Sequence, residues 1–286
     1  MRPSFPYFLV MLVPPVVLVL VQPLLASAQI ACVLEHCAVA LAECEADTTC
    51  RTWSTCNRKC GSDLSCQLRC ADLYKPTNAS SAKIDLFSEC VISEHHCIPQ
   101  THQKCPLPRT AGLVRDFDLT SALTGVWYIT RGLNPHFDCF DCQVHNFTYE
   151  PAIAPAGKPL HGDLKYNVKV DLNCTGSDCS YLAREVFQSF GQDPNVAAHL
   201  ENHNNSLAEL HYSDDWYVVY ASDSAVLIYY CGCNDATCGY SGSVLYSRTP
   251  TLPSGPEQDK IAAAIESAAI PGFTFHGMCA PDNWFC

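Results

Sequence analysis

From Leu123 onward, apolar and polar residues alternate in short β-rich runs separated by Asp, Asn and Gly. Period-two alternation sets one face of each run against a core, so the runs read as strands. They cover Leu123–Arg131, Phe140–Tyr149, Asp163–Leu172, Leu182–Phe190, Ala197–Glu201, Leu207–Tyr212, Trp216–Ala221, Ala225–Tyr230 and Ser241–Arg248. Eight or nine strands at meander spacing favour an antiparallel sheet closed into a barrel, because closure leaves no unpaired edge. The period then changes. Between Pro256 and Ile270, the residues Ile261, Ala264, Ile265 and Ala268 share one helical face. That spacing predicts a helix packed on the barrel's outer wall. The stretch Leu123–Gln143, LTGVWYITRGLNPHFDCFDCQ, reads as the first strand running into the barrel mouth.

Composition places this barrel in an oxidising compartment. The chain has 286 residues, 48% of them hydrophobic, a net charge of -12 and no Lys/Arg run of the kind that binds nucleic acid. Ten of its 20 cysteines lie between Cys32 and Cys97. Such density favours disulfides over zinc, since Cys-x-x-Cys occurs once, at Cys139/Cys142, and no metal site is expected. Residues 1–28 read as a removable leader, with Arg2 before an apolar run and Ala26-Ser27-Ala28 as the cleavage site. A membrane anchor is the competing reading, disfavoured by Pro14 and Pro15. The chain then divides into a cysteine-rich module (29–105), a linker carrying Pro106 and Pro108 (106–120), the barrel (121–250) and a helix with a tethered tail (251–286).

Gaps of four to seven between most neighbouring cysteines suit short crosslinked helices. Cys56/Cys60 and Cys66/Cys70 flank the turn Gly61-Ser62-Asp63, and a helical hairpin there nests Cys60–Cys66 inside Cys56–Cys70. The same logic nests Cys37–Cys44 inside Cys32–Cys50, and Cys90–Cys97 closes a local loop. Spacing leaves the connectivity open. Cys174/Cys179 would close another local loop.

Gly125-x-Trp127 on the first strand and Arg248 at the end of the last are lipocalin marks; in lipocalins that Arg packs over that Trp and closes the barrel base. The fuller stretches GVWYITRGLNPHFDCFDCQVHNF, HYSDDWYV and IYYCGCNDATCGYSGSVLYSRT, with the preceding cysteine module, resemble the violaxanthin de-epoxidase family from about Ile30 to Cys279. The resemblance implies a mainly β fold: a lipocalin-like eight-stranded antiparallel barrel with an N-terminal disulfide-rich helical module and a C-terminal helix. It implies a Cys142–Cys279 disulfide tying the barrel to the tail. It also implies an oxidoreductase of the xanthophyll cycle that removes the epoxides of a carotenoid, violaxanthin, with ascorbate as reductant. Such an enzyme works in the acidified thylakoid lumen of the chloroplast, peripheral to a galactolipid membrane, with a homodimer at acid pH as a further expectation.

An epoxide oxygen leaves poorly until it is protonated, so the site needs an acid. Asp214, in Tyr212-Ser213-Asp214-Asp215-Trp216, matches the family's catalytic acid. Neighbouring strand residues face opposite ways, so only one of Asp214 and Asp215 looks inward. The bland alternative is a solvated Ser-Asp-Asp turn. Tyr230 and Tyr246 match the family's barrel-lining tyrosines and Gln143 its interior amide; Trp127 and Tyr217 join Gln143 as candidate substrate contacts. Asp138, Asp141 and His145 are candidate acid sensors, with a histidine charging near pH 5–6.

The sequence departs from the family where Cys231 and Cys233 replace arginines, in additional cysteines at Cys105, Cys139, Cys174, Cys179, Cys238 and Cys286, and in lacking a Glu-rich C-terminal region. Losing two positive charges would weaken attraction for anionic ascorbate. Three other readings therefore stand beside the reductase: a redox-neutral xanthophyll epoxide isomerase, a non-catalytic lipocalin carrying a carotenoid or lipid, and a secreted disulfide-rich binding protein.

Overall fold

The structure is a computed structural model that describes residues 27–60, 64–74, 81–151, 158–170, 174, 176–207, 210–235, 237–284 and 286. Most of the expected leader and the Gly61-Ser62-Asp63 turn lie outside the described residues. The module is built from α1 (Ser27–His36), α2 (Ala38–Ala46), α3 (Thr48–Cys60), α4 (Leu64–Tyr74), α5 (Ser81–Ser88) and a π-helical turn, Glu89–Glu94. None of the helices described is long and apolar enough to cross a membrane.

All twenty cysteines are paired. The nested pairs Cys56–Cys70 and Cys60–Cys66 are present, as is Cys174–Cys179. Three other spacing-based pairs are not. Cys32 bonds Cys97, Cys37 bonds Cys90 and Cys44 bonds Cys50, in place of Cys32–Cys50, Cys37–Cys44 and Cys90–Cys97. The reason lies in α1 and α2, which form nearly one rod. The amide of Cys37 bonds Val33 O at 2.8 Å and that of Leu41 bonds Cys37 O at 2.9 Å, so helical bonding runs through the junction. Two cysteines seven residues apart on such a rod are separated by about 10 Å, beyond the roughly 7 Å a disulfide spans. The rod instead packs on the π-helical turn, burying Val33, Leu41 and Val91 around two crosslinks.

A two-residue strand β1 (Thr101–His102) leads to a short helix α6 (Leu119–Leu123) and then to the strands β2 (Gly125–Gly132), β3 (Asp141–Tyr149), β4 (Leu160–Lys169), β5 (Tyr181–Gln192), β6 (His199–Leu207), β7 (Leu210–Ala221), β8 (Ala225–Asn234) and β9 (Thr237–Ser247). Strands β2 to β9 pair antiparallel in chain order, and β9 closes on β2. β1 adds to β9 in parallel. The expected break at Ser213-Asp214-Asp215 is absent: β7 runs through it, because Asp214 and Asp215 each find partners within the sheet.

The base half of the barrel is apolar. Trp127, Phe147, Leu160, Phe190, Leu200 and Ile228 fill it, and α6 covers its end with Leu119 and Leu123. Trp127 is fully buried, donates to Leu123 O at 2.7 Å and lies 3.6 Å beneath the Arg248 guanidinium. This cation–π lid is the closure expected of Gly-x-Trp and the terminal Arg. Helix α7 (Pro256–Ala268) packs Ile261, Ile265 and Ala268 on the outward residues Val219, Leu227, Tyr229 and Leu245. Both faces of β8 are therefore buried, which explains its unbroken apolar run.

At the mouth, the module touches the barrel through Arg69, which donates to the carbonyls of Lys169 and Val170, and through Gln100, which donates to Asn234 O at 2.5 Å. The tail is stapled to the β2–β3 connection by Cys139–Cys279 and to the start of β3 by Cys142–Cys286, not by Cys142–Cys279. Cys279 forms a backbone bridge with Gly132, which brings it to the Asp138–Cys139 turn, whereas Cys142 N bonds Asp282 O further along the tail.

Candidate active site in the barrel mouth

The cavity above the apolar base is lined by Asp138, Gln143, His145, Gln188, Tyr212, Asp214, Trp216, Tyr230, Tyr240 and Tyr246, among apolar neighbours such as Phe137 and Val244. Strand parity places most of them. Tyr212, Asp214 and Trp216 alternate inward on β7, while Asp215 faces out. Outside, Asp215 Oδ1 accepts from His199 Nε2 at 3.1 Å and His203 Nε2 at 3.0 Å. The His199 bond foremost holds the Asp215 carboxyl below its ordinary range.

Asp214 has the opposite environment. It is 7% exposed, and the Tyr240 hydroxyl bonds its Oδ1. Burial pushes its pKa up to about 7, against the opposing pull of the Tyr240 bond, and the nearby Asp138 raises it further. The β8–β9 ladder makes room for this acid, since Gly232 stands opposite Tyr240. A Cβ on Gly232 would lie 1.9 Å from Asp214 Oδ1.

Asp138 is not on a strand. Gly132 lets the β2–β3 loop fold back, since a Cβ there would lie 2.3 Å from Asp138 O. Asp138 Oδ2 then accepts from the backbone amides of Asn134 at 2.8 Å and Ser243 at 3.2 Å, and Oδ1 lies 2.7 Å from Tyr230 Oη. Burial raises this carboxyl also to about 7 despite those three donors. The cavity thus holds two carboxyls that are protonated in mildly acid solution, each bonded to its own tyrosine.

A second network crosses the floor. Tyr246 Oη donates to His145 Nδ1 at 2.5 Å, His145 Nε2 donates to Gln188 Oε1 at 3.0 Å, and Gln188 Nε2 donates to Tyr212 Oη at 2.5 Å. Burial pushes the His145 pKa down to about 3, so the imidazole is neutral and its Nδ1 is free to accept while Nε2 donates. The expectation that His145 charges near pH 5–6 is therefore corrected: it is a fixed hydrogen-bonding element. Gln143 is buried, donates to Phe137 O at 2.8 Å, and its Oε1 accepts no hydrogen bond among the described residues, leaving that oxygen for a donor on a ligand.

Other candidates lie outside the cavity. Trp127 is sealed in the base, where Arg248 and Leu123 occupy it. Tyr217 faces outward because Trp216 faces inward, and it stacks on His199 with ring centroids 5.0 Å apart. Asp141 anchors the tail, accepting from Asp282 N at 3.0 Å and pairing with Lys169 at 3.3 Å. The cavity residues Tyr240, Tyr212 and Gln188 were not singled out in the sequence. Parity was the available signal, since Tyr240 lies six positions before Tyr246 on one strand.

Stability should record these environments. A carboxyl whose folded pKa is raised stabilises the fold below its unfolded value of 3.8, and that contribution is lost as pH rises through about 7. His145, lowered from 6.5 to about 3, acts in reverse and costs stability as pH falls through that window. Two acids oppose one histidine. In thermal melts followed by circular dichroism, the Asp138→Asn/Asp214→Asn double variant should therefore lose stability from pH 7 to pH 5 relative to wild type. Parallel curves would contradict the assigned environments.

A family model described as the VDE lipocalin domain matches residues 29–283. The chain is 36% identical over 264 residues to violaxanthin de-epoxidase, chloroplastic, of Arabidopsis thaliana, covering 88% of this chain and 53% of that one. Its Spinacia oleracea counterpart is 35% identical over 263 residues, covering 88% and 52%. The chain spans about half the length of the curated relatives it matches. Among solved structures, lobster apocrustacyanin A1 is similar at 15% identity with a TM-score of 0.39, over 63% of this chain and 92% of that chain. With a family model covering the module, the barrel and most of the tail, the chain belongs to the VDE lipocalin domain family.

Proposed function

We propose that the barrel is the active site of a xanthophyll-epoxide oxidoreductase of the violaxanthin de-epoxidase type, acting in the acidified thylakoid lumen of the chloroplast. The observation that carries this reading is Asp214: a carboxyl buried in an aromatic cavity, bonded to Tyr240 and raised to about 7. At the pH of an acidified compartment it is a neutral acid able to protonate an epoxide oxygen. The aromatic walls suit the ring end of a carotenoid, and the free Gln143 Oε1 can accept from a ring hydroxyl. Ascorbate, as co-substrate, supplies two electrons, and a galactolipid surface presents the pigment.

A second reading has one observation behind it. Cys231 pairs with Cys105 and Cys233 with Cys238, so the positions expected to carry arginines hold crosslinks. A mouth without those cations favours a redox-neutral epoxide isomerisation, which needs the acid and no anionic reductant.

The test is to incubate oxidised protein with violaxanthin, galactolipid and ascorbate at about pH 5, then separate the pigments. Zeaxanthin formation that requires ascorbate is expected. A rearranged epoxide formed without ascorbate supports the isomerase, and binding without conversion leaves only a carrier.

A further inference from the structure

Removing an epoxide oxygen as water requires two protons on one oxygen. The first opens the ring as one C–O bond breaks. The second converts the resulting hydroxyl into a leaving water as the other C–O bond breaks. Two electrons from an enediol reductant close the C=C bond, the reductant leaves as a diketone, and its two protons restore the donors. A single carboxylic acid holds one of the two protons.

We propose that Asp138 is the second proton source, delivering through the Tyr230 hydroxyl to the oxygen that Asp214 has already protonated once. This rests on the epoxide-removing function proposed for the barrel. The two acids are built to one plan. Each is buried, each bonds a tyrosine that lines the cavity, and each tyrosine stands opposite a glycine in the β8–β9 ladder, Tyr230 across from Gly242 and Tyr240 across from Gly232. A Cβ at Gly242 would lie 2.2 Å from Tyr230 Oη and 2.6 Å from Asp138 Oδ2, so the empty space belongs to the acid–tyrosine unit. The Tyr230 and Tyr240 rings meet edge to face with centroids 6.3 Å apart, which sets both units around one small volume.

The two oxygens of Asp138 divide the work. Oδ2 holds the loop through Asn134 N and Ser243 N. A loop anchor needs nothing more. Oδ1 is left facing Tyr230, and once protonated it donates to Oη while the phenol proton passes to substrate. The relay spares the site a tyrosinate, which burial and the neighbouring Asp138 disfavour.

The deciding experiment follows epoxide consumption and alkene formation separately in wild type, Asp138→Asn, Tyr230→Phe and Asp214→Asn. In Asp138→Asn and Tyr230→Phe, alkene formation should fall about 100-fold or more while epoxide consumption falls less than about tenfold. Ring-opened hydroxylated pigment should accumulate. Asp214→Asn should lower epoxide consumption itself by about 10²–10⁴-fold. Alkene formed from Asp138→Asn in the wild-type ratio to consumed epoxide overturns the second donor. So does equal loss of consumption in Asp138→Asn and Asp214→Asn. Where Asp138→Asn fails to fold, Tyr230→Phe decides, because it leaves both Oδ2 bonds in place. A wild-type protein that leaves the epoxide untouched overturns the underlying function as well.

Discussion

Replacing Asp214 by Asn is expected to lower epoxide conversion by about 10²–10⁴-fold, the usual worth of a positioned general acid, while the protein keeps its fold and binds pigment. The substitution isolates the proton. Asn has nearly the shape of a neutral carboxyl, and its Oδ1 still accepts from Tyr240, whose hydroxyl bonds Asp214 Oδ1. Burial costs little more than before, because this carboxyl, raised to about 7, is already neutral in acid. Only the transferable proton is missing. The comparison is made at about pH 5 with pigment chromatography, and folding is followed by near-ultraviolet circular dichroism. Conversion within tenfold of wild type would remove Asp214 from the chemistry.

Complete thiol reduction should unfold the cysteine-rich module and abolish conversion. Each disulfide contributes about 2–4 kcal/mol, and five of them lie between Cys32 and Cys97. Among the described residues, this module has little else to hold it. Its buried clusters consist of Val33, Leu41, Val91 and Ile84 with Cys37, Cys44, Cys50, Cys90 and Cys97, so the crosslinks are themselves much of the core. The barrel keeps a large aromatic core and should retain more of its strand signal. Helical circular dichroism should collapse before the strand signal does. Full helicity and conversion, with mass spectrometry confirming twenty free thiols, would show that the crosslinks are dispensable.

How far these residues were legible follows from what orders them. Helical period alone places the helix on the outer wall. The family resemblance picks Asp214 and places Arg248 over Trp127, while strand period shows that one of Asp214 and Asp215 faces inward. Tyr240, Tyr212 and Gln188 carried the same signal. Asp138 did not appear as a partner of the acid because its position depends on a loop folding back at Gly132, a contact without period. Ser213-Asp214-Asp215 looked like a turn since nothing local showed that Tyr240, His199 and His203 would satisfy the two acids inside a sheet. Disulfide spacing misled where two cysteines share a rod and succeeded where helices double back.

The sealed base has a kinetic consequence. With Trp127, Arg248 and α6 closing its base, the barrel on the proposed function would take one terminus of a long pigment at a time. A substrate carrying an epoxide at each terminus must then dissociate, turn around and rebind before the second is removed. On the proposed function the process would be distributive, the half-converted pigment would compete for the same pocket, and the doubly converted product should appear after a lag in the conversion assay. Two barrels facing mouth to mouth would work on both termini at once and shorten that lag, so the product time course reports on assembly as well as on chemistry.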